Sequence, residues 1–384
     1  MFEKRSWQIA VCCLVTAVLT TATVLGTEAV LLNRVTGSAS ESVRFLRTMN
    51  LLKRNYNGEV ENHQLFDGAI KGMVESVGDP YTVYLNSKDY QQLSEMTGGS
   101  FGGIGIVFGK RGNDYVVISA LEDNPGAKAG IKSGDIITAI DDKPTRDMNM
   151  DQVANKIRGK QGTEVILELK GKDGSLRKVR VVRAEIKNPS VGGQLLPDSK
   201  IGYIRIAVFN ENTGDDFAKK YNELEQQGMQ ALVLDLRGNP GGVFDAGVQV
   251  AGMLVPKGPI VSVVDKNGNK YEETSSLEKV KYPLAVLVDH GSASASEIVA
   301  GAIKDTKSGR LFGVKTFGKG SVQTVYRLDS GTAVKITVAK YYTPSGVSIH
   351  NVGIEPDEKV ELPENATSDV QLKAAEAYLR QQLQ

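Results

Sequence analysis

The feature that most constrains the fold is an alternation of strand and helix patterns after Pro189. The strand pattern KIGYIRIAVF is followed by the helical pattern DDFAKKYNELEQQG, the apolar run ALVLDL, a helix after Gly242, the run PLAVLVD and a helix after Ser294. Such alternation is typical of an α/β layer with largely parallel strands. Because sites in these layers lie at the carboxyl ends of the strands, the loops at those ends are the candidate sites.

Two other patterns precede this layer. From Ser40 to about Leu93, apolar residues recur at three- and four-residue spacing, which predicts amphipathic helices. The residues leave open whether these helices pack on the rest of the chain, form a homodimer contact or act as a lid. From Gly98 to about Glu185, short strand patterns follow a glycine cluster, with one helix predicted around Met150 to Ile157. The tail from Thr367 to Gln384 predicts one closing helix.

Length and composition narrow the class of protein. At 384 residues, the chain is too long for one ordinary core, which predicts two or three domains. Lys plus Arg number 46 against 45 for Asp plus Glu, so no surplus positive charge favours nucleic acid. Both cysteines, Cys12 and Cys13, lie in the N-terminal apolar stretch, which excludes disulfides and cysteine-bound metals elsewhere. We expect no cofactor and no metal.

The N-terminal segment predicts a membrane anchor. Lys4 and Arg5 precede an uncharged run from Ser6 to Thr27, which is long enough to span a bilayer as a helix. The positive flank favours a single-pass protein of the cell membrane whose remaining domains are extracytoplasmic. A cleaved signal peptide, and hence a secreted protein, is the alternative, although no clear cleavage site follows the run.

Two strand ends carry unusual loops, which should lie on the same edge of the layer. ALVLDL ends in the loop RGNPGG, and PLAVLVD ends in HGSASASE, which contains Ser294. A serine at the start of the following helix would have unpaired backbone N–H groups beside it, as an oxyanion hole requires. The alternative is that Ser292, Ser294 or Ser296 only caps the helix.

A nucleophilic serine needs a base, and Lys319 is the candidate. Of the three histidines, His63 lies in the helical region and His290 is too close along the chain, whereas sequence distance does not exclude His350. Lys319 has glycines on both sides and apolar residues nearby, and burial lowers the pKa of a lysine. The alternative is an ordinary turn lysine.

The sequence resembles the carboxyl-terminal processing (tail-specific) proteases, which are Ser-Lys peptidases with an inserted PDZ domain. The segments that carry the resemblance occur in the family's order and span nearly all of the chain after the anchor: GMVESVGDPYTVYL, NPGAKAGIKSGDIITAIDDKP, LDLRGNPGG, GSASASEIVAGAIKD, FGKGSVQT and YYTPSGVSIHNVGIEPD. The resemblance implies a multidomain α/β protein: an N-terminal helical region, a PDZ domain of five to six strands with helices, and an α/β catalytic core of crotonase-like type.

The resemblance also implies the domain limits and the partners. The limits are an anchor or signal segment at 1–33, helices at 34–95, a PDZ domain at 96–186, the protease core at 187–361 and a C-terminal helix at 362–384. The implied substrates are proteins or peptides with free C-termini, cut at or near those ends. A regulatory protein and a homodimer are left open.

The site residues follow from the same resemblance. It implies Ser294 as the nucleophile, Lys319 as the general base and Gln323 as a supporting residue, which we expect on the same strand face as the lysine. The oxyanion donors would be the amide of Ala295 and that of Gly241 or Gly242. The PDZ loop that would bind substrate C-termini, and could gate activity, consists of four residues: Gly103, Ile104, Gly105 and Ile106.

Three other functions are weaker interpretations. A phosphate-binding loop is suggested by the spacing of Gly313, Gly318 and Lys319, but Gly320 follows instead of Ser or Thr, and a strand pattern comes next. A trypsin-like PDZ protease would place its catalytic residues before the PDZ module. A non-enzymatic, membrane-anchored PDZ adaptor is the main alternative, and the presence of all three implied catalytic residues speaks against it.

Overall fold

A computed structural model of the chain describes residues 33–34, 37–187, 189–329, 331–363 and 368–384. The chain divides into two compact units, Met1–Gly78 and Asp79–Gln384. The predicted anchor, residues 6–27, lies outside the described residues. Among the residues that are described, no helix is both long and apolar enough to cross a membrane.

The first unit contains the helices α1 (Ala39–Asn55) and α2 (Asn62–Glu75). The helix α1 begins where the Ser38 side chain accepts a hydrogen bond of 3.3 Å from the amide of Glu41, which satisfies one of the free N–H groups of the first turn. Large apolar side chains on both helices, such as Leu46 and Met73, are exposed. The helical region predicted from the three- and four-residue spacing is therefore present.

The second unit begins with β1 (Val83–Leu85) and α3 (Ser87–Gly98). The strand β1 pairs antiparallel with β18 (Ala333–Tyr342), near the other end of the chain. The structure therefore places residues 79–95, expected in the N-terminal helical region, with the second unit. Local spacing did not indicate this because a three-residue strand is defined by its distant partner.

A six-stranded antiparallel sheet follows, in the order β3-β4-β5-β7-β8 with β6 paired to β5. The strands that flank it in sequence, β2 and β9, form a separate two-stranded antiparallel sheet. In β7 alternate apolar side chains are buried, as in a sheet with one face on a core. The bounds are β2 (Ser100–Gly103), β3 (Ile106–Arg111), β4 (Asp114–Ala120), α4 (Pro125–Lys128), β5 (Ile136–Ile140), β6 (Lys143–Pro144), α5 (Met150–Ile157), β7 (Glu164–Lys170), β8 (Leu176–Val182) and β9 (Ala184–Lys187).

The α/β layer is a six-stranded sheet in the order β10-β11-β12-β15-β16-β19, parallel from β11 to β19. Every residue of β12 and β15 is buried, because helices cover both faces of the sheet. The elements are β10 (Val191–Leu195), β11 (Ile201–Ile206), α6 (Thr213–Gln226), β12 (Ala231–Asp235), α7 (Phe244–Gly252), β15 (Leu284–Val288), α8 (Ala295–Thr306), β16 (Arg310–Gly313), β19 (Glu358–Lys359) and α9 (Val370–Gln382).

A second antiparallel sheet completes the unit, in the order β1-β18-β13-β14 with β17 also paired to β18. Its remaining strands are β13 (Gly258–Asp265), β14 (Lys270–Ser275) and β17 (Ser321–Arg327). The predicted closing helix is present as α9, whose Ala375 and Leu379 pack against the layer.

Candidate active site

The loops after β12 and β15 lie side by side, as expected, because these strands are adjacent and parallel. The loops are also joined directly. The amide of Ala293 donates to the carbonyl of Asn239 at 3.0 Å, and the amide of Gly238 donates to the carboxylate of Asp289 at 2.8 Å. This edge of the sheet therefore presents one continuous surface built from both glycine-rich loops.

Only one of the three loop serines is placed to react. The hydroxyls of Ser292 and Ser296 are buried and donate to the carbonyls of Leu236 and Asn239 at 2.8 and 2.9 Å. Those two serines hold the loops together. Ser294 is half-buried and lines a cavity of about 570 Å³, so its hydroxyl is the one that a substrate can reach.

Ser294 has an unusual backbone conformation, with φ 55° and ψ −113° at the first position before α8. A serine pays a steric cost at positive φ, and such strain persists where the surrounding contacts enforce it. The contact that does so is a hydrogen bond of 2.9 Å from the Ser294 amide to the carboxylate of Glu297. The chain thereby turns sharply from β15 into the helix with the side chain on the cavity side.

Glu297 is the residue that the sequence analysis missed. Its buried carboxylate accepts four hydrogen bonds: from the Thr316 hydroxyl at 2.6 Å, and from the amides of Gly318, Lys319 and Ser294 at 2.7, 2.8 and 2.9 Å. Buried carboxylates are stable when they are fully hydrogen-bonded in this way. Glu297 thus ties the Ser294 loop to the Lys319 loop. The Ser-x-x-Glu pattern of a capping box was the signal that could have revealed it.

Lys319 lines the same cavity as Ser294. Burial lowers its pKa from the ordinary value of 10.5, and the neighbouring charge of Lys335 lowers it further. The carboxylates of Asp79 and Glu297 act in the opposite direction and do not reverse the shift. Since burial disfavours the ammonium form, this lysine is closer to a neutral amine than a surface lysine is.

Two tyrosines enclose the lysine. The amine of Lys319 lies 5.0 Å from the ring centroid of Tyr81. The hydroxyl of Tyr341 donates to the carbonyl of Ser294 at 3.0 Å and also to the carbonyl of Lys319. Burial raises the pKa of Tyr341 well above 10, so this hydroxyl stays protonated and remains a donor. Tyr341 is thus a second link between the two loops.

Gln323 lines the cavity, but the expectation that it shares a strand face with Lys319 was wrong. The strand β17 begins at Ser321, so Lys319 lies in the preceding loop and not on the strand face. The side-chain amide of Gln323 donates to the hydroxyls of Ser321 and Thr337 at 2.9 and 3.3 Å. Both contacts orient the side chain from within the sheet.

The backbone N–H groups beside Ser294 differ in their availability. The amide of Gly241 donates to the Asn239 side chain at 2.9 Å. The amides of Ala295 and Gly242 have no acceptor among the described residues. A side chain at Gly241 would lie 2.7 Å from the Ser294 Cβ atom and 2.8 Å from the Ala295 nitrogen. The loops therefore meet so closely that only glycine fits there.

The histidines are not placed to serve as a base for Ser294. His63 and His290 are exposed, and His63 belongs to the first unit. His350 packs its ring against Tyr81, with centroids 6.4 Å apart, and its Nδ1 atom is buried with no hydrogen-bond partner in the part of the chain that the structure describes. None of the three lines the cavity of Ser294.

The loop Gly103–Ile106 leads from β2 into β3, an edge strand of its sheet. The amides of Ile104 and Gly105 have no acceptor among the described residues, whereas Gly103 and Ile106 belong to β2 and β3. Gly105 has φ +70°, and a side chain there would lie 2.3 Å from Asn124. The loop thus presents free N–H groups next to an unpaired strand edge.

The chain matches three known families. Residues 200–360 match Peptidase family S41, residues 26–89 match the Activating protease CtpB N-terminal domain, and residues 116–171 match the PDZ domain. The chain is 35% identical over 369 residues to the carboxy-terminal processing protease CtpA of Bacillus subtilis (strain 168), which covers 94% of this chain and 79% of that protein. The chain belongs to peptidase family S41.

Two further relatives agree with this S41 assignment. The chloroplastic C-terminal processing peptidase of Tetradesmus obliquus is 36% identical over 327 residues, covering 80% of this chain and 70% of that protein. The solved structure of a photosystem II D1 C-terminal processing protease matches with a TM-score of 0.50 and 33% identity, covering 93% of this chain and 96% of that one. The predictions of a serine peptidase and of a multidomain α/β fold with N-terminal helices and a PDZ domain are confirmed.

Proposed function

We propose that this S41 peptidase cuts exported proteins at or near their C-termini with a Ser-Lys dyad, in which Ser294 is the nucleophile and Lys319 the general base. The observation that carries the proposal is the shared cavity. It contains a serine on a strained turn at a helix N-terminus together with a half-buried lysine whose pKa is lowered by burial. No histidine takes part in this cavity among the described residues.

The reaction begins when the neutral amine of Lys319 takes the hydroxyl proton of Ser294, and the oxygen attacks the carbonyl carbon of the substrate peptide bond. The resulting tetrahedral oxyanion collapses when the C–N bond breaks, and protonated Lys319 gives its proton to the departing amine. The lysine, neutral again, then activates a water molecule that hydrolyses the acyl-serine ester. The serine regains its proton and the cycle closes.

We assign the oxyanion hole to the amides of Ala295 and Gly242. This assignment is supported because the amides of Ala295 and Gly242 have no acceptor among the described residues, whereas the amide of Gly241 already donates to the Asn239 side chain. The N-terminus of α8 adds its dipole at the same place. Gln323 is the supporting residue of this proposal: its NH₂ group donates to Ser321 and Thr337, so its carbonyl oxygen is the atom that would accept from the amine of Lys319.

The PDZ domain would bind the substrate's C-terminal carboxylate with the amides of the Gly103–Ile106 loop and add the peptide as a strand beside β3. The free amides of Ile104 and Gly105 and the edge position of β3 support this role. A regulatory protein could act on the same domain. The alternative function is a non-enzymatic, membrane-anchored adaptor. It would be favoured if the protein binds peptides through their C-termini but cuts no protein substrate.

The test uses three single variants of the full chain. Ser294→Ala and Lys319→Ala should each abolish cleavage of an unstructured protein substrate, because they remove the nucleophile and the base, while circular dichroism and the thermal midpoint stay near those of the parent. Lys315→Ala is the matched control, since Lys315 pairs with Glu355 on the surface of the same loop. Full activity in Ser294→Ala would overturn the mechanism.

We also propose that residues 6–27 anchor the chain in the cell membrane with the catalytic domain extracytoplasmic, and that the domain limits given above hold apart from residues 79–95. The uncharged run and its positive flank support the anchor. Fractionation of cells tests it: the full chain should resist extraction of membranes with salt and carbonate. A protein recovered entirely in the medium would instead favour the secreted form.

A further inference from the structure

Among the described residues, every charged side chain that lines the cavity of Ser294 is a cation. Three basic side chains reach it, Lys319, Arg327 and Lys335, and no Asp or Glu lines it among the described residues. None of these three forms an ion pair in the part of the chain that the structure describes. The mechanism uses Lys319 and leaves the other two without a role.

Arg327 and Lys335 lie on one face of the sheet. In the β17 and β18 pairing, Lys335 is opposite Val325, and Arg327 is two residues further along β17. Residues two apart in a strand share a face, so both basic side chains point to the same side as Gln323. They are diagonal neighbours at roughly 7–8 Å. The two cations therefore follow the cavity wall away from the catalytic residues.

Their surroundings explain why the two cations need a partner. Lys335 is half-buried and forms no ion pair among the described residues, and burial lowers its pKa. The guanidinium of Arg327 lies 5.6 Å from the ring centroid of Tyr90 on α3. Stacking on a ring occupies the flat face of a guanidinium and leaves its edge N–H groups, which match the two oxygens of a carboxylate.

We propose that Lys335 and Arg327 form a subsite for a carboxylate of the bound substrate, about two residues from the peptide bond that is cut. The inference rests on the proposed Ser-Lys function of this cavity. The spacing is counted along β17 from Gln323: Lys335 lies opposite Val325, two residues further on, Arg327 lies four residues further on, and each residue adds about 3.4 Å. The carboxylate belongs either to an acidic side chain or to a free C-terminus, and the two sources share one chemistry.

A second role of Lys335 makes a different prediction. Its charge also lowers the pKa of Lys319, so losing it would slow the cleavage of every substrate below the plateau of the pH profile. The comparison therefore uses the ratio of kcat/KM for the Glu and Gln peptides within each variant at one pH. The protonation state of Lys319 affects both peptides equally and cancels in this ratio, so only substrate recognition changes it.

The first experiment measures kcat/KM on short peptides that are acetylated and amidated at their ends. The peptides are made in pairs. The two peptides of a pair have the same sequence except at one position within three residues of the cut bond, where one has Glu and the other has Gln. The parent should prefer Glu at one position by about two- to fivefold, as partly exposed charge pairs allow. Lys335→Gln and Arg327→Gln should each reduce the Glu/Gln ratio, and Lys335→Glu should invert it. Added salt should lower the parent ratio.

Lys340→Gln is the matched control, because Lys340 is an exposed lysine of the same strand outside the cavity wall. It should keep the parent ratio. A loss in Lys335→Gln that is equal for Glu and Gln peptides would overturn the subsite, and so would a parent ratio near one at every position combined with no preference for a free C-terminal carboxylate. Cleavage of all peptides would meanwhile persist, so this failure is distinct from a failure of the Ser-Lys mechanism, which Ser294→Ala reports.

The second arm separates the two sources of the carboxylate. The same short peptide is offered with a free C-terminal carboxylate or with a C-terminal amide, two or three residues after the cut bond, and with no acidic side chain. A preference for the acid that Lys335→Gln removes assigns the subsite to substrate C-termini. A preference confined to the Glu peptides assigns it to acidic side chains. The absence of either preference contradicts the proposal.

Discussion

Lys319 can act as a base only while its amine is neutral, and the charges around it decide how often it is. Burial and the charge of Lys335 lower its pKa, whereas the carboxylates of Asp79 and Glu297 raise it. The ring of Tyr81 covers the amine and carries a hydroxyl whose own pKa is raised by burial. The lowered pKa of Lys319 is thus the balance of one solvent effect and three neighbouring charges.

This balance predicts the pH dependence of cleavage. The rate constant kcat/KM should rise with pH as Lys319 loses its proton and should reach a plateau above its lowered pKa, below pH 10.5. Lys335→Gln removes a neighbouring cation, so the rising limb should move to higher pH. Asp79→Asn removes an anion, so the limb should move to lower pH. The measurement is a pH profile on an amidated peptide without acidic residues. If the rising limbs of the three pH profiles coincide, the group that titrates is not Lys319.

Single residues differed in how far the sequence could indicate their role. The small-residue loop and the helix that follows it indicated a candidate serine from local sequence, and the family resemblance was needed to choose Ser294 over Ser292 and Ser296. Glu297 needed contacts from the distant Thr316 to Lys319 loop before its role was visible. Lys335 carried no local signal at all, since a lysine in an alternating strand is ordinary and only the cavity shows that it lacks an anion.

At the level of elements, the alternating patterns predicted the α/β layer well. The closing helix α9 and the helix α5 appear where the periodicity indicated. The strand β1 was missed because its three residues become a strand only by pairing with β18. The same cause explains the error about Gln323: the ladder of β17 starts at Ser321, and where a ladder starts depends on its partner strand.

The loop after β12 is also held by a contact that local sequence does not show. Arg237 pairs with the buried carboxylate of Asp235 and with Asp369, which caps α9, each at 2.7 Å. Leaving a buried carboxylate unpaired costs about 3–5 kcal/mol. The closing helix therefore fixes the start of the loop that ends in Gly242, so the position of the proposed oxyanion donor depends on the last element of the chain.

At the scale of the whole second unit, the helix α3 connects the cavity of Ser294 with the PDZ domain. Tyr90 and Met96 of α3 line the cavity of Ser294. On the same helix Glu95 pairs with Arg158, which follows α5, at 3.7 Å, and Arg158 lies over Phe101 at 4.7 Å. A change in the PDZ domain on binding a C-terminus would thus reach the cavity through α3, which is a route for the gating that the resemblance implies.

Gating predicts that the parent cuts a long unstructured substrate faster when its C-terminus is a free carboxylate than when it is an amide. Gly105→Ala should reduce this difference severalfold, because the new Cβ atom would lie 2.3 Å from Asn124 and distort the loop whose amides hold the carboxylate. Short amidated peptides, which do not need the loop, should be cut at the parent rate. Gly112→Ala is the control: Gly112 also has positive φ, yet nothing lies within 4 Å of its added Cβ atom. If acid and amide substrates are cut equally fast by the parent, the C-terminal carboxylate has no influence on cleavage, which contradicts gating through α3.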